Sequence, residues 1–268
     1  MLKESTLFGE VDKVKIALRR LRLHEPEEGY YVAFSGGKDS CVVLDLCRRA
    51  AVDYDVHYNL TTVDPPELTQ FIRKKYPEAW EGRNIPEINM HDLIIKKRMP
   101  PTRRVRYCCQ VLKEQGGKRR IVVTGIRHAE SPKRAKRQMM ETCCQHRDKQ
   151  YIHPIIDWSD ADVWEYIRSR NLPYCSLYDE GYKRLGCVMC PYQGLKGMRR
   201  DAARWPQFRS YYIDAFQKMI DKRRADGYPT QWETGAEVMH WWMGEDNRIK
   251  DNDDQITLFG LRMDESSV

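Results

Sequence analysis

The stretch that most constrains this chain runs from Tyr30 to Arg49. Tyr30-Tyr31-Val32-Ala33-Phe34 is short, apolar and β-rich, the pattern of a buried strand. Ser35-Gly36-Gly37-Lys38-Asp39-Ser40 is a turn of small residues, and from Ser40 to Arg49 apolar residues recur at helical spacing. Strand, glycine turn and helix N-terminus together make an anion cradle. Glycine removes the Cβ that would hold a ligand off the backbone, and free N–H groups at a helix start attract negative charge. Lys38 adds a cation, and Ser35 and Ser40 add hydroxyls. An ordinary βα turn accounts for a glycine pair but not for the whole string. The string is neither the Walker P-loop, which needs four residues before its Gly-Lys-Ser/Thr, nor the dinucleotide fingerprint, which needs a third glycine.

The chain has 268 residues, enough for one large α/β domain or one domain with an appendage. No apolar run is long enough to cross a membrane, and Met1-Leu2-Lys3-Glu4-Ser5 does not read as a signal peptide. The expectation is a soluble, cytoplasmic protein without a membrane partner. In that setting nine cysteines point to metal or redox chemistry rather than to a disulfide framework. The net charge of +7 is unevenly spread: Lys96 to Arg137 holds fifteen Lys/Arg against Glu114 and Glu130, and the tail from Gly244 is acidic. Such a basic block points to a polyanion, whether nucleotide phosphates, sulfate or nucleic acid.

In order along the chain, the pattern predicts a helix over Val11–Leu23, a strand over Tyr54–Leu60, a helix over Glu67–Tyr76 and a further strand and turn within Asn84–Ile95. A buried strand over Arg120–Gly125 follows, then a helix capped by Ser159 with Asp162 three residues on. Residues 196–227 and Thr234–Trp242 read as helices whose aromatic residues pack. In a doubly wound sheet ligands gather at the carboxyl ends of strands. Thr61, Thr62 and Asp64 therefore sit where an adenosine can be held. Asp64 serves either a metal or ribose hydroxyl, or the entry of the next helix. Arg127 and Arg134, after the Gly125 strand end, can fork onto phosphate or sulfate.

Cys108-Cys109 lies among arginines, so Arg104, Arg106 and Lys113 would stabilise thiolates there. Cys187-x-x-Cys190 is a metal or redox knuckle, open to zinc, a dithiol or an iron–sulfur centre. Cys143, Cys144 and Cys175 are spare candidates, whereas Cys41 and Cys47 belong to the core of the helix after the glycine turn.

Ser35–Ser40 resembles the pyrophosphate loop of the adenine nucleotide α-hydrolase superfamily. Thr62-Val63-Asp64-Pro65-Pro66-Glu67, Gly125-Ile126-Arg127 with Glu130-Ser131, and Pro154-Ile155-Ile156-Asp157-Trp158 with Asp162-Val163-Trp164 extend the resemblance to its phosphoadenylyl-sulfate-reductase-like family. From about residue 30 to 191 the motifs follow in the family's order. The resemblance implies an α/β fold: a doubly wound, mostly parallel sheet of five or six strands with helices on both faces, plus a C-terminal helical extension. The expected division is an N-terminal helix over 1–28, a nucleotide-binding domain over 29–191, helices over 192–244 and an acidic tail over 245–268.

The family resemblance further implies nucleotide binding by Ser35, Gly36, Gly37, Lys38, Asp39, Ser40, Thr61, Asp64, Gly125, Arg127 and Arg134, with Lys38, Asp39 and Arg127 catalytic. Tandem cysteines with a Cys-x-x-Cys resemble the set with which adenylyl-sulfate reductases hold a [4Fe–4S] cluster, here Cys108, Cys109, Cys187 and Cys190. Cys143 or Cys175 is the alternative to one of the adjacent pair. Two features depart from the reductases: no cysteine follows Cys190, where they carry a nucleophile, and Lys38-Asp39 is typical of members that use ATP with Mg²⁺ and release pyrophosphate. The expected function is an iron–sulfur ATP pyrophosphatase that adenylates an acceptor for sulfur insertion, similar to DNA phosphorothioation enzymes or tRNA thiolases. The expected partners are ATP, a cysteine desulfurase or other sulfur donor, a nucleic acid and a second copy of the chain. The alternatives are an adenylyl or phosphoadenylyl sulfate reductase and a non-catalytic iron–sulfur nucleic-acid-binding subunit.

Overall fold

The computed structural model describes residues 1–6, 9–143 and 148–245. Its strands are β1 (Lys3–Thr6), β2 (Gly9–Asp12), β3 (Tyr30–Phe34), β4 (Tyr54–Tyr58), β5 (Ile121–Val123), β6 (Met140–Thr142) and β7 (Gln150–Ile152). Its α-helices are α1 (Lys13–Leu23), α2 (Lys38–Ala50), α3 (Pro66–Lys75), α4 (Pro77–Glu81), α5 (Met90–Lys97), α6 (Tyr107–Leu112), α7 (Asp160–Ser169), α8 (Gly194–Arg204), α9 (Pro206–Ala225) and α10 (Gly235–Trp242). The chain divides into two units, each drawn from two stretches: Met1–Pro86 with Gln110–Gly186, and Glu87–Cys109 with the chain from Cys187 on.

The first unit is built on a five-stranded sheet of order β4-β3-β5-β7-β6. β3 pairs in parallel with β4 on one side and β5 on the other, with Val32 beside Val56 and Val123. A strand flanked on both sides and covered on its faces must be apolar throughout, which is why Tyr30–Phe34 shows no polar alternation. β5 pairs in parallel with β7, and β6 closes the edge antiparallel to β7. The sheet is thus mostly parallel with helices around it, as expected. Leaving β3, the chain goes to one side for β4 and to the other for β5. The loops after β3 and β5 therefore flank the topological switch point, where an open α/β sheet leaves a crevice.

Several local expectations are corrected. The first helix starts at Lys13, with the Asp12 side chain accepting from Lys15 N, because Val11 is taken up by the β1–β2 hairpin, which the polar sequence does not announce. Residues 84–95 hold no strand. Asn84 makes a single parallel bridge to Asn59, and Asn89 then caps α5, whose Met90, Leu93 and Ile94 are buried at helical spacing. The helix expected over 196–227 is broken at Trp205-Pro206, as proline lacks the N–H that would continue α8. The capping box at Ser159 and Asp162 forms as expected. Among the described residues no helix is long and apolar enough to cross a membrane.

In the second unit α5 and α10 both pack on α9. Tyr212, Phe216 and Trp242 form its aromatic core, with ring centroids of Tyr212 and Trp242 4.9 Å apart. The Trp242 Nε1–H donates to Pro101 O at 2.7 Å, so the one polar atom of the buried indole is satisfied.

Gly36 tests the joint between β3 and α2. It has φ +71°, and a Cβ there would lie 2.7 Å from Leu68 Cδ1 and 2.8 Å from Ile72 Cδ1 of α3. Gly227 has φ +74° with nothing within 4 Å of a Cβ. Gly36→Ala is expected to cost about 2–4 kcal/mol and Gly227→Ala about 1 kcal/mol, since only the first adds overpacking to backbone strain. Denaturant midpoints of the two variants check the difference.

Candidate functional site

The loop after β3 folds back on itself through its serines. Ser35 N donates to Ser40 Oγ at 3.2 Å, and Ser40 Oγ donates to Gly37 O at 2.8 Å. Gly37 is the N-cap of α2 and supplies no side-chain cap, so the helix start is left for other acceptors. One is Tyr178, whose hydroxyl accepts the Lys38 N–H at 2.9 Å. The Lys38 ammonium also lies 5.8 Å from the Tyr178 ring centre. Burial pushes the Tyr178 phenol well above its usual range, so it stays a neutral acceptor.

Four charged side chains meet at this helix start. Lys38 Nζ lies 3.0 Å from Asp160 Oδ1 and 3.4 Å from Asp39 Oδ2. Arg127, from the loop after β5, donates from Nε to Asp39 Oδ1 at 2.6 Å and from Nη2 to Asp160 Oδ1 at 3.1 Å. Its Nη1 donates to Trp158 O at 3.2 Å. The cations are nearly buried, at 6% exposure for Lys38 and 3% for Arg127, whereas Asp160 is 64% exposed. Burial works against ionisation of Asp160. The hydrogen bond and charge of Lys38, then those of Arg127, outweigh it and hold the carboxyl below the usual range. Gly125 makes room for this meeting: a Cβ there would lie 2.9 Å from the carbonyl carbon and Cβ of Asp39.

The structure thus brings Ser35, Gly36, Gly37, Lys38, Asp39, Ser40, Gly125 and Arg127 together. Asp64 Oδ2 accepts the Thr61 N–H at 2.7 Å, which folds the loop after β4, while the N-cap of α3 is Pro65. Thr61 is buried, and Thr62 takes a left-handed φ of +66° in that turn. Arg134 is taken up by Glu130, which also accepts the Arg127 N–H at 3.1 Å. Asp160 and Tyr178 escape the sequence reading. Asp160 looks like an ordinary acidic residue in a first helical turn, and Tyr178 lies 140 residues from its partner.

His153 follows β7 at the same end of the sheet. It is fully buried, its Nδ1 is 2.7 Å from Thr124 Oγ1, and its Nε2 has no hydrogen-bond partner. Burial first, then the charges of Arg137, Arg134 and His128, lower its pKa to about 4.

Cys108, Cys109, Cys187 and Cys190 all belong to the second unit, and Cys143 and Cys175 to the first. The knuckle Cys187–Cys190 closes through Cys190 N donating to Cys187 O at 3.3 Å. Met189 takes a left-handed φ of +57° and donates its N–H to buried Asp201 Oδ2 at 2.9 Å. Tyr212 OH donates to Val188 O at 3.3 Å. These bonds over-determine a strained residue, as a built loop does. Arg106 Nη2 donates to Cys109 Sγ at 3.5 Å, but the expected arginine-stabilised thiolate does not extend to Cys108. The Cys109 hydrogen bond, burial and the charges of Cys109, Cys187 and Cys190 raise the Cys108 pKa far above the usual thiol range. Among the described residues no three His, Cys, Asp or Glu are grouped to hold a single metal ion.

Cys175 is buried in the first unit, and burial raises its thiol above the usual range. Cys143 is half-buried beside the Tyr151 hydroxyl, 4.0 Å away. Cys41 and Cys47 are core residues of α2, with thiols pushed up to about 12 by burial. Cys144 and the tail beyond Glu245 lie outside the described residues.

The sequence profile of the phosphoadenosine phosphosulfate reductase domain matches residues 29–193. An uncharacterized protein of Methanocaldococcus jannaschii is 31% identical over 209 residues, covering 73% of this chain and 48% of its own length. The chain thus spans about half the length of that archaeal relative, and 42% of a second one. Adenosine 5'-phosphosulfate reductase 2 of Bacillus subtilis is 29% identical over 217 residues, 74% of this chain and 86% of that protein. Among solved structures, phosphoadenylyl-sulfate reductase from Candida auris, a phosphate complex, aligns with TM-score 0.49 at 21% identity over 65% of this chain and 87% of that one. The U34-tRNA thiolase NcsA from Methanococcus maripaludis, with its [4Fe–4S] cluster, aligns with TM-score 0.42 at 15% identity over 81% of each chain.

His153 makes stability depend on pH in a stated direction. Its folded pKa of about 4 lies below the usual 6.5 of an unfolded chain, so the stabilising difference is fully present above 6.5 and is lost as pH falls toward 4. The loss is about 3 kcal/mol at most. Unfolding midpoints from pH 7 to pH 4 should fall less steeply for His153→Gln than for wild type.

Proposed function

The chain belongs to the phosphoadenosine phosphosulfate reductase domain family, sulfur-metabolism enzymes of the pyrophosphate-loop superfamily, and we propose that it cleaves ATP to AMP and pyrophosphate to prepare an acceptor for sulfur. One observation carries the proposal: buried Lys38 and Arg127 converge on a single anionic position at the start of α2. Cations held at that depth beside a helix N-terminus suit a polyphosphate.

In this reading an acceptor oxygen attacks the α-phosphorus of ATP, and the bond from that phosphorus to the bridging oxygen of the β-phosphate breaks. The acceptor becomes adenylylated, and pyrophosphate leaves with its charge met by Lys38 and the loop N–H groups. Arg127 orients the α-phosphate, and Asp39 would hold Mg²⁺ when it is bound. Mg²⁺ needs only one or two carboxylates besides the phosphates, and Asp39 with Asp160 fits that demand. A persulfide from a donor such as a cysteine desulfurase would then attack the adenylylated centre, whose bond to the AMP oxygen breaks, and a thiol would cleave the sulfur–sulfur bond to leave one sulfur on the acceptor. Cys108, Cys109, Cys187 and Cys190 would hold a [4Fe–4S] cluster, which supplies a sulfur- or electron-carrying centre when bound. A nucleic-acid acceptor is supported in the second unit, where the Arg103 and Arg106 guanidinium carbons lie 5.9 and 4.8 Å from the ring centre of exposed Tyr192. Arginines gathered on a half-exposed aromatic ring suit a phosphate backbone.

A second reading, reduction of an adenylyl sulfate to sulfite, is favoured by the curated relatives named as such reductases. Anaerobically purified protein with α-labelled ATP and Mg²⁺ separates the two. AMP plus pyrophosphate is expected, reduced about 10²–10³-fold by Lys38→Ala. Absence of ATP cleavage, with sulfite released from an adenylyl sulfate and a thiol, would favour the reductase. Cys187→Ser is expected to remove most of the iron and acid-labile sulfide from the anaerobic protein, and Cys143→Ser to leave both unchanged.

A further inference from the structure

We propose that Asp160 is the resident anion of the cradle, occupying the place of a ligand oxygen between Lys38 and Arg127 and so excluding small anions that arrive without a metal ion. The inference rests on the reading of this loop as a polyphosphate cradle.

Asp160 Oδ1 accepts from both Lys38 Nζ, at 3.0 Å, and Arg127 Nη2, at 3.1 Å. A phosphate or sulfate oxygen bound by the same two donors would stand where this oxygen stands. Of the four charged groups, only Asp160 can leave at little cost. Arg127 is pinned by Asp39 at 2.6 Å and by Trp158 O at 3.2 Å, and Lys38 lies in the first turn of α2. Asp160 is the first residue of α7, after the Ser159 cap, and is 64% exposed. Rotation of its side chain carries the carboxylate into water without disturbing the helix.

The charge balance gives this exchange its selectivity. Lys38 and Arg127 are matched by Asp39 and Asp160, so a bare anion meets no net positive charge and must compete with a carboxylate already in place. A polyphosphate that brings a divalent cation changes both sides at once. Its oxygens take the donors, and its metal takes the displaced carboxylate together with Asp39. Asp160 is thus a specificity-determining residue that favours metal polyphosphates over sulfate, inorganic phosphate and metal-free nucleotide.

Calorimetric binding of pyrophosphate to the full chain, once in EDTA and once in excess Mg²⁺, tests the assignment. Asp160→Asn is expected to tighten metal-free binding at least fivefold more than Mg²⁺-dependent binding, and Asp160→Glu to behave as wild type. Asp160→Ser serves in the same way should the asparagine variant fold poorly. Equal changes in both conditions, within fivefold, overturn the proposal, because a weakened α7 would act on both alike. ATP cleavage by the wild type is read separately. A fivefold shift without ATP cleavage sinks the pyrophosphatase alone, and ATP cleavage without the shift sinks the role of Asp160 alone.

Discussion

Everything about the first unit turns on two cations that water hardly reaches. A buried ammonium or guanidinium is costly unless paired, and Lys38 and Arg127 are paired twice over, with Asp39 and Asp160. These contacts tie three distant segments: the start of α2, the loop after β5 and the start of α7. The same contacts place a fork of donors beside a helix N-terminus. Because each cation has two carboxylate partners, loss of exposed Asp160 leaves both paired with Asp39, whereas loss of either cation removes a contact from both carboxylates.

The sheet explains why these segments meet. β3 lies between β4 and β5, so the loops leaving β3 and β5 open on a switch point. Gly36 and Gly125 are there for contact distance, the first against α3 and the second against Asp39. A side chain at Gly125 would push apart the segments that carry Asp39 and Arg127, and one at Gly36 would push the loop off α3.

The central strand, the glycine loop and Arg127 are legible in the sequence because each is a local signal: an apolar run, a string of small residues, an arginine after a strand and a glycine. The antiparallel β6 and the β1–β2 hairpin are not, because their strands are three or four residues long and half-exposed. The strand expected before Ile95 fails for a different reason. Met90, Leu93 and Ile94 already have the period of a helix, but the Asn89 cap is easily read as a turn. Asp160, Tyr178 and His153 are invisible locally because their meaning comes from partners 33, 140 and 29 residues away. The cysteine pattern is the reverse case. Its spacing is plain in the sequence, and the structure adds what spacing cannot: Met189 in a left-handed turn held by Asp201, and a Cys108 thiol raised by its hydrogen bond to Cys109 and by burial.

Cleavage of ATP and reduction of an adenylyl sulfate make different demands on these charges. Reduction of a sulfate breaks a sulfur–oxygen bond and leaves a nucleotide phosphate that never departs from the ribose. A cradle for that task needs donors to steady a sulfate, and a carboxylate beside them is a hindrance. Cleavage at the α-phosphorus releases a highly charged pyrophosphate with its metal ion, and a site for it needs both signs: cations for the leaving oxygens and carboxylates for the metal. In the proposed reading, Lys38 and Arg127 interleaved with Asp39 and Asp160 would meet the second demand. The first would be met better by the cations alone.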